Sequence, residues 1–241
     1  MNISRRGLFG SFAGGVLIPA IATSCSKPDE NRFVSNSEWD ACGYPINNRL
    51  LKNKTCYGGL SLSSPFNIAA FVLCFPPTAN KNRFEFLYRF FISEGMINYY
   101  PIDSYPEWIK NGFVTVTDGN YVDYDVIKKQ IYADKNQYKL KSIGYDPWNA
   151  SYLVNELSVN MISYNSIMSS QNYFRKHVIE GKIAHGCNPV IKQMVNRTYI
   201  TVDSVGNRRI KNKCNTIGGV FASIMAMDLA SKSKKERSFD G

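Results

Sequence analysis

Few side chains in this sequence combine a type and a spacing that could do chemistry, and most of those are aspartates. The clearest is Asp146, which follows the apolar run ending at Tyr145 and precedes Pro147, so it stands at a predicted strand tip. Carboxylates in such places suit hard divalent cations, which take oxygen ligands. Asp203 opens Asp203-Ser204-Val205-Gly206, a turn-type run, and reads as a turn residue. Asp123 and Asp125 stand where a helix is expected to begin. His185, before Gly186, reads as a structural histidine in a turn. Six cysteines and two histidines form neither a Cys-x-x-Cys pair nor a zinc spacing. Cys56 and Cys74 lie in apolar runs and are expected as buried thiols. No G-x-x-x-x-G-K-[ST] phosphate loop is encoded.

These residues need a scaffold, and the pattern predicts one. Lys27 to Asn36 is polar and linker-like, and Trp39 to Leu51 is turn-rich. Thr55 to Leu62, Ile68 to Phe75 and Phe84 to Ile92 read as three successive strands, hence an antiparallel meander. Then come a helix at Ser104 to Asn111, a strand at Phe113 to Val116, a helix at Tyr124 to Ala133 and a strand at Leu140 to Tyr145. Helices follow at Asn149 to Leu157, Asn172 to Glu180 and Pro189 to Met194, then a strand at Tyr199 to Val202 and a turn at Gly206-Asn207. Gly219 to Ala230 is an apolar, alanine- and methionine-rich helix. Strands first, then strands alternating with helices, predict an α/β fold with a mixed sheet and helices on both faces.

Several stretches, in register from Trp39 to Ser231, resemble the nuclease domain of the tailed-phage terminase large subunit. They are Cys56 to Ser64 (CYGGLSLSS), Gly112 to Asp123 (GFVTVTDGNYVD), Ile143 to Ala150 (IGYDPWNA), Glu180 to Gly186 (EGKIAHG), Asn188-Pro189-Val190 and Ala222 to Ala230 (ASIMAMDLA). The resemblance implies a ribonuclease-H-like fold whose first three strands are antiparallel. It implies cleavage of concatemeric double-stranded DNA with magnesium or manganese. It also implies partners: an ATPase half without counterpart in this chain, a small terminase subunit and a portal protein.

The resemblance further implies three metal-binding aspartates. The family's first, in a Gly-Gly-Leu-Asp-Leu-Ser context, falls on Ser61; the second, in Tyr-Asp-Pro, falls on Asp146. The third, in Ile-Asp-Gly, falls on Gly218, and an acidic position six places after the first is Asn67. A hydroxyl is a weak neutral ligand and glycine offers no side chain, so at most one weakly held metal is expected. Asp203 and His185 are the auxiliary candidates: the resemblance implies that Asp203 could restore a second carboxylate and that His185 could orient a phosphate or a water. Asp228 lies ten residues past Gly218, about 15 Å along a helix, too far to replace it. Trp148 is expected in the core or at its rim. Tyr164 to Gln171 departs from the family pattern.

A net charge of +10 favours a polyanion, either nucleic acid or an acidic membrane surface. The sequence divides into a signal-like or non-native segment with linker (1–36), a nuclease-like domain (37–231) and a basic tail (232–241) with Lys232, Lys234, Lys235 and Arg237. Ser4-Arg5-Arg6-Gly7-Leu8-Phe9, the apolar Gly10 to Ile21 and Cys25 resemble a twin-arginine lipoprotein signal, too short to span a membrane. A chance start upstream of a truncated gene is the alternative. The expected setting is the host bacterium's cytoplasm, or export if the signal works. Three readings stand: an impaired endonuclease, an inactive DNA-binding module, or a prophage remnant.

Overall fold

The computed structural model describes residues 31–62, 67–99, 101–204, 206, 208–212 and 217–236. The export-like segment, Val205 and Asn207, the tail from 237 onward and the Trp148 side chain lie outside the described residues. In chain order the elements are α1 (Asn36–Asp40), α2 (Asn48–Leu51), β1 (Thr55–Ser61), β2 (Ala69–Phe75), β3 (Phe84–Ser93), α3 (Glu94–Tyr99), α4 (Tyr105–Lys110) and β4 (Thr115–Thr117). They continue as α5 (Tyr124–Gln137), β5 (Lys139–Tyr145), α6 (Pro147–Glu156), β6 (Asn160–Ser163), α7 (Met168–Ile179), β7 (Ile183–Ala184) and α8 (Pro189–Asn196). The hairpin β8 (Thr198–Val202) and β9 (Arg208–Asn212) precedes the last helix, α9 (Gly218–Glu236).

The main sheet runs β4-β3-β2-β1-β5-β6, with β7 added beside β3. β1, β2 and β3 are antiparallel neighbours, while β5 joins β1 in parallel and β6 joins β5 in parallel. This is the mixed sheet with an antiparallel first trio that the resemblance implies. β2, Ala-Ala-Phe-Val-Leu-Cys-Phe, is buried at every position because both faces of the sheet are covered. Its alternation sends Ala70, Val72 and Cys74 to one core and Ala69, Phe71, Leu73 and Phe75 to the other. The first core is closed by α1, α4, α7, α8 and α9, the second by α5 and α6. Cys56 and Cys74 are buried free thiols, and burial pushes both thiols up.

Several boundaries move from the sequence expectation. The folded body starts before residue 37: Phe33 and Val34 are core residues, and Ser35 caps α1. Ser35 and Glu38 satisfy each other's backbone N–H groups in a capping box, so residues 31–36 are no linker. α6 starts at Pro147 rather than Asn149, because proline suits the first helical position. α9 runs to Glu236, past the expected tail boundary at 232. The short elements α2, α3, β6, β7 and β9 were not expected; pairing with a neighbouring strand, rather than local preference, holds such strands.

α9 sits on the sheet by its backbone. Gly218, Ala222, Ala226 and Ala230 recur every fourth residue, so one side of the helix carries nearly no side chain. All four are buried. A Cβ built on Gly59 of β1 would lie 1.8 Å from the Ala222 carbonyl oxygen. On the other face, the Arg89 guanidinium grips the buried Asp134 carboxylate of α5 at 2.9 and 3.2 Å and ties the helix to β3. Gly59→Ala is expected to cost more than the roughly 1–3 kcal/mol usual for overpacking, since backbone, not a side chain, must retreat. Chemical denaturation of parent and variant measures it.

Candidate functional site

β1 places Ser61. Along this strand Gly59 faces α9, and alternation turns Ser61 the same way at the strand's last position. α9 begins there. A Cβ on Gly218 would lie 3.0 Å from the Ser61 Oγ and 3.5 Å from the Ile68 carbonyl oxygen. β5 supplies the third position: Leu60 pairs with Tyr145, so Ser61 and Asp146 are the next residues on adjacent parallel strands. Strands in one sheet lie about 4.8 Å apart, so the three positions share one end of the sheet.

Asp146 is exposed and lines a cleft of about 190 Å³ with Tyr164, Asn165, Ser166, Ile167, Phe221 and Met225. Phe221 and Met225 lie three and seven residues beyond Gly218, on one side of α9. Tyr164 forms the wall towards β5. Its ring would meet a Cβ on Gly144 at 2.8 Å, and its hydroxyl donates to Asp228 Oδ2 at 2.5 Å. Burial, then the neighbouring carboxylate, pushes this phenol far up, so it stays a donor. Lys232 also donates to Asp228, at 2.6 Å. Asp228 is thus engaged deeper along α9, behind Tyr164.

The other candidates lie elsewhere. β7 pairs Ile183 with Phe84 and Ala184 with Glu85, at the start of β3, whereas Ser61 is level with Ala70 and Phe90. His185, next after Ala184, therefore stands about four strand residues, roughly 13 Å, from the level of the cleft. There its ring stacks on Trp39 at 4.3 Å and its Nε2 lies 2.8 Å from the Trp39 carbonyl oxygen. Of the two readings of His185, its burial against Trp39, away from the cleft, fits the structural one. Asp203 sits at the tip of the β8–β9 hairpin, where its carbonyl accepts from Gly206 and its carboxylate lies 3.8 Å from Arg209 Nε. It is not in the lining of the Asp146 cleft. Asp123 caps α5 by accepting from the Asp125 N–H. Asn67 is buried just before β2.

Tyr164, Phe221 and Met225 were not anticipated as cleft residues. Helical spacing from Gly218 would have found the last two; Tyr164 carries no sequence signal, since a loop places it. Among the described residues, no group of three or more His, Cys, Asp or Glu side chains is arranged to hold a metal ion. Among them, too, no helix is long and apolar enough to cross a membrane.

Comparison with known proteins puts relatives beside this geometry. The family model for the terminase large subunit, endonuclease domain, matches residues 20–234. The terminase large subunit of Enterobacteria phage HK97 is 22% identical over 223 residues, covering 86% of this chain and 43% of that protein. The chain thus spans less than half the length of that curated relative. The crystal structure of the HK97 large terminase superposes with a TM-score of 0.71 at 22% identity, over 82% of this chain and 43% of that one. The large terminase nuclease of thermophilic phage G20c, solved with bound magnesium, gives a TM-score of 0.54 at 10% identity, over 83% of this chain and 98% of that one. At these identities the likeness is one of fold.

The buried His185 gives a pH test. Desolvation holds its imidazole below the ordinary value of 6.5, despite the hydrogen bond to Trp39. The unfolded chain therefore binds this proton more readily than the folded one. The neutral ring's contribution to stability is complete above about pH 6.5 and is lost as the pH falls through the folded-state value. The urea midpoint is expected to drop between about pH 7.5 and pH 5.5, and His185→Phe should remove part of that drop.

Proposed function

The chain belongs to the terminase large-subunit endonuclease family, and from that premise we propose that it is a DNA-binding nuclease domain with a disabled catalytic centre. The observation that carries this reading is the contact between Ser61 and Gly218: the Ser61 Oγ lies 3.0 Å from where a side chain at 218 would start. These are two of the three positions at which the family resemblance expects metal-binding carboxylates, and neither carries one. Asp146 holds the third.

Phosphodiester hydrolysis by such a centre uses two divalent ions about 3.5–4 Å apart, one stabilising the attacking oxygen and one the leaving oxygen. Bridging carboxylates hold the ions and offset their charge. Asp146 supplies one negative charge, Ser61 a neutral hydroxyl, and Gly218 nothing, so this donor set does not fit a two-metal centre. The G20c nuclease binds magnesium; the equivalent cleft here lacks the charge to do the same. Asp228 does not compensate, because Tyr164 and Lys232 already hold its carboxylate. Double-stranded DNA remains the proposed partner, on the strength of the net charge of +10. ATP-driven packaging belongs to relatives more than twice as long and is not assigned to this chain.

Incubation with supercoiled plasmid and manganese is expected to leave the plasmid intact. Nicking that Asp146→Ala abolishes would overturn the proposal. The double variant Ser61→Asp/Gly218→Asp is expected to bind manganese at least tenfold more tightly than the parent in calorimetric titration, with little gain from either single change. Equal titrations of double variant and parent would refute the assignment of these positions.

A further inference from the structure

Charge is segregated along the sheet. The stretch from β3 into the first turn of α5, residues 94–125, holds Glu94, Asp103, Glu107, Asp118, Asp123 and Asp125 against a single cation, Lys110. All six carboxylates are exposed. This lobe leaves the sheet at the C-terminal end of β3, which is also the end that carries Ser61 and Asp146.

A group of six cations stands at the opposite end. Arg49 on α2, then Lys52 and Lys54, lead into β1. Lys139 opens β5 beside them: its N–H donates to the Lys54 carbonyl at 2.9 Å, and it pairs with Thr55 in the parallel register. Lys141 follows two residues on, and Lys81 stands just before β3. Of these six, only Lys81 is ion-paired among the described residues, with Glu85 at 2.8 Å. The same end carries a groove of about 590 Å³. Lys54 and Lys81 line it, together with Glu85, the partner of Lys81; Thr55, Thr78 and Asn80 offer hydroxyl and amide donors, and Leu51 and Phe75 contribute apolar lining, while Arg49, Lys52, Lys139 and Lys141 stand beside it.

We propose that this basic groove, at the end of the sheet remote from the Asp146 cleft, holds the sugar-phosphate backbone of DNA. The inference rests on the reading that the chain binds DNA, but it does not require the cleft to be inactive. Lys54 in the concavity and Arg49, Lys52, Lys139 and Lys141 beside it have no carboxylate partner among the described residues, and with the neutral donors of the groove they suit a line of phosphates. A flat bilayer is a poorer match, because the surface is concave and Leu50 is its one strongly exposed large apolar residue. The lobe of residues 94–125 leaves the sheet at the cleft end and disfavours DNA there through its carboxylates, of which Asp125 is paired with Lys128 at 2.6 Å. The contacts are with phosphates, so binding is independent of sequence and sensitive to salt.

The test uses the full chain, a fluorescein-labelled 20-base-pair duplex and EDTA, so that hydrolysis plays no part. Anisotropy titrations at several salt concentrations compare the parent with Lys52→Gln/Lys54→Gln/Lys139→Gln. The control, Lys110→Gln/Lys176→Gln/Lys192→Gln, removes equal charge elsewhere. Each lost phosphate contact lowers the slope of log K against log salt by about 0.9. The groove variant is therefore expected to lose about two to three from that slope and at least tenfold in affinity near 100 mM salt. The control should stay within about threefold of the parent, with equal thermal midpoints throughout. Equal losses in both variants would show that net charge alone acts and would overturn the groove. A parent that binds no duplex, or that binds phosphatidylserine vesicles more tightly, would also overturn it. None of these results bears on the plasmid assay, which alone decides the state of the cleft.

Discussion

The structure depends on one close approach, that of α9 to β1. Ala222 lies over Gly59 so nearly that not even a methyl group fits between them. Such contact brings backbone against backbone, and it is possible because small residues recur every fourth position along the helix. Gly144 does the same for β5, where a Cβ would lie 3.0 Å from the Met225 Cβ. The helix is thereby fixed in depth and in register over the two strands that carry the candidate site. From this follows the position of Gly218 against Ser61, and of Phe221 and Met225 against Asp146.

Packing and chemistry are separable in this arrangement. The sheet and α9 are held by buried apolar surface and close backbone contact, none of which needs a carboxylate. Carboxylates crowded into one cleft repel one another unless a cation is present. Where the resemblance expects two of them this chain carries serine and glycine, and close packing holds the two positions together without a carboxylate at either. Gly218 suits the place it occupies, with Ser61 and the Ile68 carbonyl close by. The family's fold can persist in this way where its metal chemistry is proposed to have lapsed.

The segregation of charge gives the molecule a direction. The carboxylates of residues 94–125 and the lysines around Lys54 and Lys139 lie at opposite ends of the strands because β1, β3 and β5 run the same way. Basic residues before the strands and acidic residues after them are thus sorted by topology. A net charge of +10 hides this polarity. Only the order of strands shows it.

What the sequence determined by itself was set by local physics. Apolar alternation predicts the first three strands, turn chemistry and helical spacing predict α4, α5, α8 and α9, and Tyr145-Asp146-Pro147 marks a strand end whatever surrounds it. The motifs also carry the family resemblance, and with it the absence of carboxylates at positions 61 and 218. Tertiary structure decided what depends on distance between segments remote in the chain. It put Ser61 against Gly218, 157 residues apart in sequence, and carried His185 to the far end of the sheet against Trp39. It also drew Tyr164 over Asp228 and made strands of the four-residue β6 and two-residue β7. Those outcomes rest on pairing and close packing between elements, which no local pattern of residues encodes.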